Sequence, residues 1–155
     1  MDQYDIAILV ELQVNGRLSN RELAERIGLS PTPCWRRVRD LEAAGVIRGY
    51  AALLNPEALG IQVTALANVI LENHHPDTVA EFDSTIATIP EVLECHMLSG
   101  DYDYALKIVA RDMAHYAQLL REQLLSLRAV HRVSSNFVMA STKTITAYPL
   151  YYGGD

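Results

Sequence analysis

The sequence predicts an α+β protein, helical in its first third and alternating between strands and helices thereafter. Three observations carry that expectation. Three helix start-and-stop signals crowd into the stretch before Gly45, and residues 61 to 71 then switch to strict two-residue alternation. Charge divides the chain in the same way. The 155 residues carry a net charge of -6, yet residues 17 to 48 hold seven arginines against four acids, a local balance of +3. From residue 61 onward six basic residues stand against eleven acidic ones. Affinity for a polyanion follows the local field, so the acidic total does not exclude one as a partner of the first part.

Half the residues are hydrophobic and 21% are charged, the composition of a globular chain. No window is apolar enough for a membrane span. The start, "MDQYDIAIL", is acidic where a secretory signal is basic. Cys34 and Cys95 are too far apart in sequence for a metal-ligand pair, and a reducing cytoplasm suits them best.

Asp2 suits the cap of a first helix, with Asp5 reaching back in a capping box, and Ile6, Leu9 and Leu12 follow helical spacing. "NGR" at 15 to 17 stops it. "SNRE" opens the second helix, with Ser19 at the cap and Glu22 three positions on, ahead of Leu23, Ala24 and Ile27. Gly28 ends it, Ser30 caps a third, and Pro31 takes the first helical position, where its missing N–H is harmless. So short a turn makes the last two helices cross steeply, as in a winged-type helix-turn-helix. At 100° per residue, Cys34, Val38 and Leu41 share the inner stripe of the third helix. Thr32, Arg36 and Arg39 lie opposite, flanked by Trp35, while Arg37 sits near the boundary.

Arginine's planar fork matches guanine O6 and N7. Thr32, Trp35, Arg36 and Arg39 are therefore candidates for base-edge or sugar contacts in double-stranded DNA. Arg17, Ser19, Asn20, Ser30 and Arg37 are candidates for phosphate, the serines and asparagine because they stand at helix starts. A solvated basic face and a core-anchoring Trp35 are the plainer readings of the same residues.

An apolar connector, "VIRGYAALLNP", runs into the short helical turn "NPEALG", with Asn55 as cap and Gly60 as terminator. Beyond it, Ile61, Val63, Ala65, Ala67, Val69 and Leu71 mark one face of a strand. Pro76 begins a helix striped by Val79, Phe82, Ile86 and Ile89. "EVLECHML" and "YDYALKIVA" form a hairpin across "SGD". Asp112 caps a helix striped by Met113, Tyr116, Leu120, Leu124 and Leu127, and residues 130 to 149 form a long final strand region. The order β-α-β-β-α-β is the ferredoxin-like split βαβ arrangement, with two helices on one sheet face. The other face is expected to find a partner sheet, hence a homo-oligomer. The expected divisions are 1–47 for the helix-turn-helix domain, 48–60 for a hinge, and 61–150 for the βαββαβ domain.

The chain resembles the Lrp/AsnC (feast/famine) family of transcriptional regulators along nearly its whole length. The resemblance rests on "DIAILVELQVNGRLSNRELAERIGLSPTPCWRRVRDLEAAGVIRGYAALLNPEALG", "LECHMLSGDYDYALKIVARDMAHY" and "FVMASTKTITAYPL". It implies a DNA-reading amino-terminal domain and a sensing carboxy-terminal domain that dimerises and often builds octamers. It also implies an amino acid effector and no cofactor. By the same resemblance, Gly100, Asp101, Tyr102, Asp103 and Tyr104 of the hairpin turn hold the effector, closed by Thr144 and Thr146. Anionic side chains and turn N–H groups suit a zwitterion. A plain hairpin turn, with Asp101 bonding its own backbone, accounts for the same residues.

Two departures stand out. "LRAV" occupies the place of the family's common Pro-Gly, and Ile145 that of a second threonine. Two rival readings remain: an enzyme of the related haem-pathway decarboxylase type, for which the five histidines lack metal spacing, and a non-specific architectural DNA coater.

Overall fold

The computed structural model describes residues 1–144 and 146–150, so Ile145 and its departure lie outside the described residues. The chain separates into two compact units. One is Met1–Leu53 together with the segment beginning at Lys143; the other is Leu54–Thr142.

The first unit is built on α1 (Gln3–Val14), α2 (Asn20–Ile27) and α3 (Pro31–Ala43). The sequence signals operate as local hydrogen bonds. Asp2 and Asp5 form one reciprocal capping box, and Ser19 and Glu22 form another. Gly28 ends α2 in the left-handed region at φ 69°, which brings α3 on after two residues. Ser30 stands at the cap of α3 with extended backbone, but its hydroxyl makes no capping bond. The core joins Ile8, Leu9, Leu23, Ala24, Cys34 and Leu41, with Val38 packed against it. Ile8, absent from the expected stripe of α1, is fully buried.

The second unit opens with a one-turn 3-10 helix, Glu57–Leu59, whose first N–H is held by Asn55 Oδ1 at 3.0 Å. Then follow β1 (Val63–Leu71), α4 (Pro76–Ile86), β2 (Val92–Met97), β3 (Tyr104–Ala110), α5 (Met113–Leu119) and β4 (Val130–Phe137). All neighbouring strands are antiparallel, in the order β2-β3-β1-β4. Alternation decides the buried face: Ala65, Ala67 and Val69 of β1 pair with Ile108, Leu106 and Tyr104 of β3, and together with Leu71 and Ala110 they face Phe82, Ile86 and Leu124.

Two expectations are corrected, and a bulge interrupts β2. Met113, at the start of α5, is 52% exposed, and Leu119 is buried, the π-helical turn Leu120–Leu124 after α5 setting a five-residue step from Leu119 to the buried Leu124 where the 3.6-residue count expected four. A bulge between Val92 and Glu94 breaks strict alternation in β2; Val92 packs against the core rather than sharing a face with Glu94. The last strand is short. Val138 N–H donates to Thr64 O at 2.9 Å near the start of β1, and there the ladder runs out of partner. Farther on, Gln13 exchanges two hydrogen bonds with the backbone of Tyr148, at 2.6 and 3.2 Å, and Leu150 packs against the helical core. Thr144 and Thr146, expected at the end of the final strand, thus lie outside β4 in the segment grouped with the first unit, both exposed.

Candidate nucleic-acid interface and effector turn

The inner stripe of α3 holds the helix in place: Cys34 is completely buried and Leu41 nearly so. Helical periodicity then forces the opposite side outward. Thr32, Trp35, Arg36 and Arg39 are all exposed there. Among the described residues neither Arg36 nor Arg39 has an ion-pair partner, and the Arg39 guanidinium lies 5.2 Å from the centroid of the Trp35 ring. The Ser30 hydroxyl, unused as a cap, remains available at the helix start.

The other expected phosphate contacts separate into free and engaged groups. The Arg17 side chain is exposed and unpaired among the described residues. Ser19 Oγ accepts the Glu22 N–H at 3.2 Å in the capping box, and the Ser19 side chain also helps hold the Glu22 carboxyl below its ordinary value. Asn20 is a structural tie instead: its amide donates to Pro31 O at 2.8 Å and links the starts of α2 and α3, while its Oδ1 is buried without a partner among the described residues. Arg37 is also reassigned. Its Nη1 reaches Asp5 at 2.7 Å and Asp2 at 2.8 Å, and its guanidinium lies over Tyr4. The two carboxylates raise its pKa, by hydrogen bonding to Asp5 first, and neutralise its charge locally. The boundary position that was expected to let Arg37 reach a phosphate lets it reach α1. Asp2 and Asp5 were legible as a helix cap; their second role as an arginine clamp needed the tertiary contact.

In the second unit, the hairpin turn presents Gly100 and Asp101 openly to solvent, with Tyr102 half-buried. Asp103 is engaged on both oxygens. Its Oδ2 accepts the Leu71 N–H at 2.7 Å and its Oδ1 meets His74 Nε2 at 2.6 Å. The Leu71 N–H, then His74, hold its carboxyl below the ordinary value, opposed by partial burial. His74 was not among the expected site residues; its only signal was a polar pair, "HH", at the end of a strand. The Tyr104 side chain does not face the turn's solvent side. It is 3% exposed, tilted against Phe82 at 4.6 Å, and donates its hydroxyl to Asp83 Oδ1 at 2.8 Å. Burial, reinforced by Asp83, pushes its pKa far up. Tyr104 belongs to the core because it shares the period-two face of Leu106 and Ile108.

No group of three or more His, Cys, Asp or Glu among the described residues is placed to hold a metal ion. None of the described helices is long and apolar enough to cross a membrane. His96 is exposed beside Glu94 at 3.3 Å, and His131 beside Glu72 at 3.1 Å.

A helix-turn-helix with an uncommitted arginine ridge, carried on the same chain as a split βαβ sheet unit, defines the class: a DNA-binding protein with a second, ligand-binding domain. Comparison with known proteins identifies the kind. The Lrp/AsnC ligand binding domain matches residues 64–148, and a winged helix-turn-helix DNA-binding domain matches residues 1–48. The leucine-responsive regulatory protein of Haemophilus influenzae is 46% identical over 143 residues, 92% of this chain and 86% of that protein. Its Escherichia coli K12 counterpart is 45% identical over 92% of this chain and 87% of its own length. Among solved structures, a transcriptional regulator of Neisseria meningitidis in complex with L-Met superposes with a TM-score of 0.93 at 41% identity, covering 96% of each chain. An AsnC-family regulator from Agrobacterium tumefaciens gives 0.91 at 36% identity, covering 96% of this chain and 97% of the other. The chain belongs to the Lrp/AsnC family of transcriptional regulators.

Proposed function

We propose that this regulator reads double-stranded DNA with the outer face of α3 and is biased by an amino acid held at the turn of the β2–β3 hairpin. The carrying observation is the partition of α3: its inner stripe is buried while Thr32, Trp35, Arg36 and Arg39 face solvent together. Thr32, Arg36 and Arg39 would touch base edges or sugars with Trp35 exposed beside them, and Arg17, Ser19 and Ser30 would touch phosphate. Asn20 and Arg37 act from behind, holding α2, α3 and α1 in register.

At the turn, Asp101 and Asp103 offer the anionic side for an ammonium group, and the backbone around Gly100 and Tyr102 offers N–H donors for a carboxylate. That the N. meningitidis relative is a complex with L-Met supports an amino acid as the ligand class. The assembly proposed is a homodimer that builds toward an octamer. The dimer would set two copies of α3 about one helical turn of DNA apart on a pseudo-palindrome. An effector can act only through different affinity for two such arrangements. The setting is cytoplasmic, without a cofactor.

Selection of bound duplexes from a random pool by the full-length protein, with and without each of the twenty amino acids, tests this reading. It expects one enriched pseudo-palindrome whose occupancy changes with one or a few amino acids. Extended protection without a preferred sequence would show an architectural coater instead. A spectral change on tetrapyrrole titration would favour the decarboxylase-type enzyme.

A further inference from the structure

We propose that Trp35 and Arg39 act as one guanine-reading unit, the indole holding the guanidinium in the orientation in which it meets a base edge. The inference rests on the reading that this face of α3 enters the major groove. Arg36, Arg37 and Arg39 lie within four positions and are held in three different ways. Arg37 is drawn inward by Asp2 and Asp5. Arg36 is exposed and unrestrained by any ion pair among the described residues. The Arg39 guanidinium lies over the ring four residues before it, 5.2 Å from its centroid, one helical turn away on the same face.

The surroundings keep this pair intact. Glu42, an acid near enough along the helix to compete for Arg39, accepts the Tyr50 hydroxyl at 3.1 Å. Trp35 is 53% exposed, on a side otherwise occupied by Thr32 and Arg36. Core packing therefore does not account for it. Trp35 and Arg39 together line a cleft with Leu18, Val38 and Tyr50, which keeps the pair on one side of the helix.

Arginine reads guanine through two parallel hydrogen bonds to O6 and N7, which require its fork to lie in the base plane. An unrestrained stem loses rotamer freedom on adopting that pose; a stacked one has already lost part of it. Cation–π attraction to the ring holds the guanidinium without occupying its N–H donors, unlike a carboxylate partner. The indole is thus a positioning group and Arg39 the reading group.

The test uses the full-length protein, its selected duplex and a scrambled duplex of equal length, with affinities from fluorescence anisotropy of labelled DNA. Trp35→Leu is expected to reduce the ratio of specific to scrambled affinity about two- to tenfold. Arg39→Ala should reduce it at least as much, and the double variant should match Arg39→Ala alone. Trp35→Phe, which keeps a ring, should retain most of the ratio. Trp35 is the sole tryptophan, so Arg39→Ala should also alter the intrinsic fluorescence of the free protein. Additive losses in the double variant, or equal damage from Trp35→Phe and Trp35→Leu, would overturn the unit. If Arg39→Ala weakened both duplexes equally, Arg39 would be a phosphate contact and the guanine assignment would fall. If Thr32→Ala, Arg36→Ala and Arg39→Ala all left binding unchanged, the groove reading beneath it would fall too.

Discussion

The outer face of α3 and the turn between β2 and β3 are both candidate binding surfaces, but they relate to the fold in opposite ways. On α3 the side chains that support the helix and those offered to DNA lie on different stripes. Cys34 and Leu41 bury themselves, and Arg36 and Arg39 form no ion pair among the described residues. At the turn the same residues serve both purposes. Asp103 is a ligand candidate that also satisfies the Leu71 N–H, and Tyr104 is a neighbour of the turn whose ring fills the core. A helix separates its faces by angle over several residues; a tight turn has too few residues to do so. On the proposed reading, DNA specificity would therefore change by substitution on α3 at little cost to folding, whereas the candidate effector turn is constrained by stability.

Five measurements would break or sharpen this contrast. The largest effect is expected for Tyr104→Ala. Removing a buried aromatic should cost about 3–5 kcal/mol of stability in a urea titration, so that a changed ligand response in this variant reflects unfolding. Were the cost within about 0.5 kcal/mol, the range of ordinary surface substitutions, the claim that the turn's last residue is core would fail. Arg36→Ala should do the reverse. It should weaken specific DNA binding by about 1–3 kcal/mol, blurring one base position, while the unfolding midpoint stays in place. A loss equal on all sequences would make Arg36 a phosphate contact.

Asp103→Ala should fall between the two in character, losing about 1–3 kcal/mol of stability because the Leu71 N–H is left without its acceptor. The sign with pH follows from the direction of the shift. The folded carboxyl titrates below its ordinary value of 3.8, so its contribution is complete above that pH and is lost as pH falls through the lowered value. In an acid unfolding series, Asp103→Asn should accordingly show a shallower fall than the wild type below about pH 4. The smallest effects distinguish two serines at helix starts. Ser19→Ala should cost about 1 kcal/mol, because its hydroxyl closes a capping box. Ser30→Ala should cost well under half as much by thermal unfolding, because that hydroxyl caps nothing, yet it should still weaken binding to DNA.

Much of the fold was legible because its signals are local. The capping pairs Asp2/Asp5 and Ser19/Glu22, the left-handed Gly28 and the alternation of β1 each involve residues a few positions apart. The outer face of α3 was legible for the same reason, since angle along a helix depends only on spacing. Where the expectation strayed, something non-local intervened. The π-helical turn after α5 put Leu119 rather than Leu120 in step with the buried Leu124. Arg37 met two acids more than thirty positions earlier instead of solvent. His74 joined Asp103 across twenty-nine positions, and Tyr148 joined Gln13 across 135.

Spacing along the chain was enough to establish the helix-turn-helix, the βαββαβ order and a solvent-facing arginine ridge, because periodicity assigns each side chain to a face before any partner is known. Which charged groups on those faces stay free was decided only by tertiary structure. A carboxylate or guanidinium is fully available to a ligand only where no distant residue has taken part of its hydrogen-bonding capacity first, and three-dimensional proximity rather than spacing settles that competition.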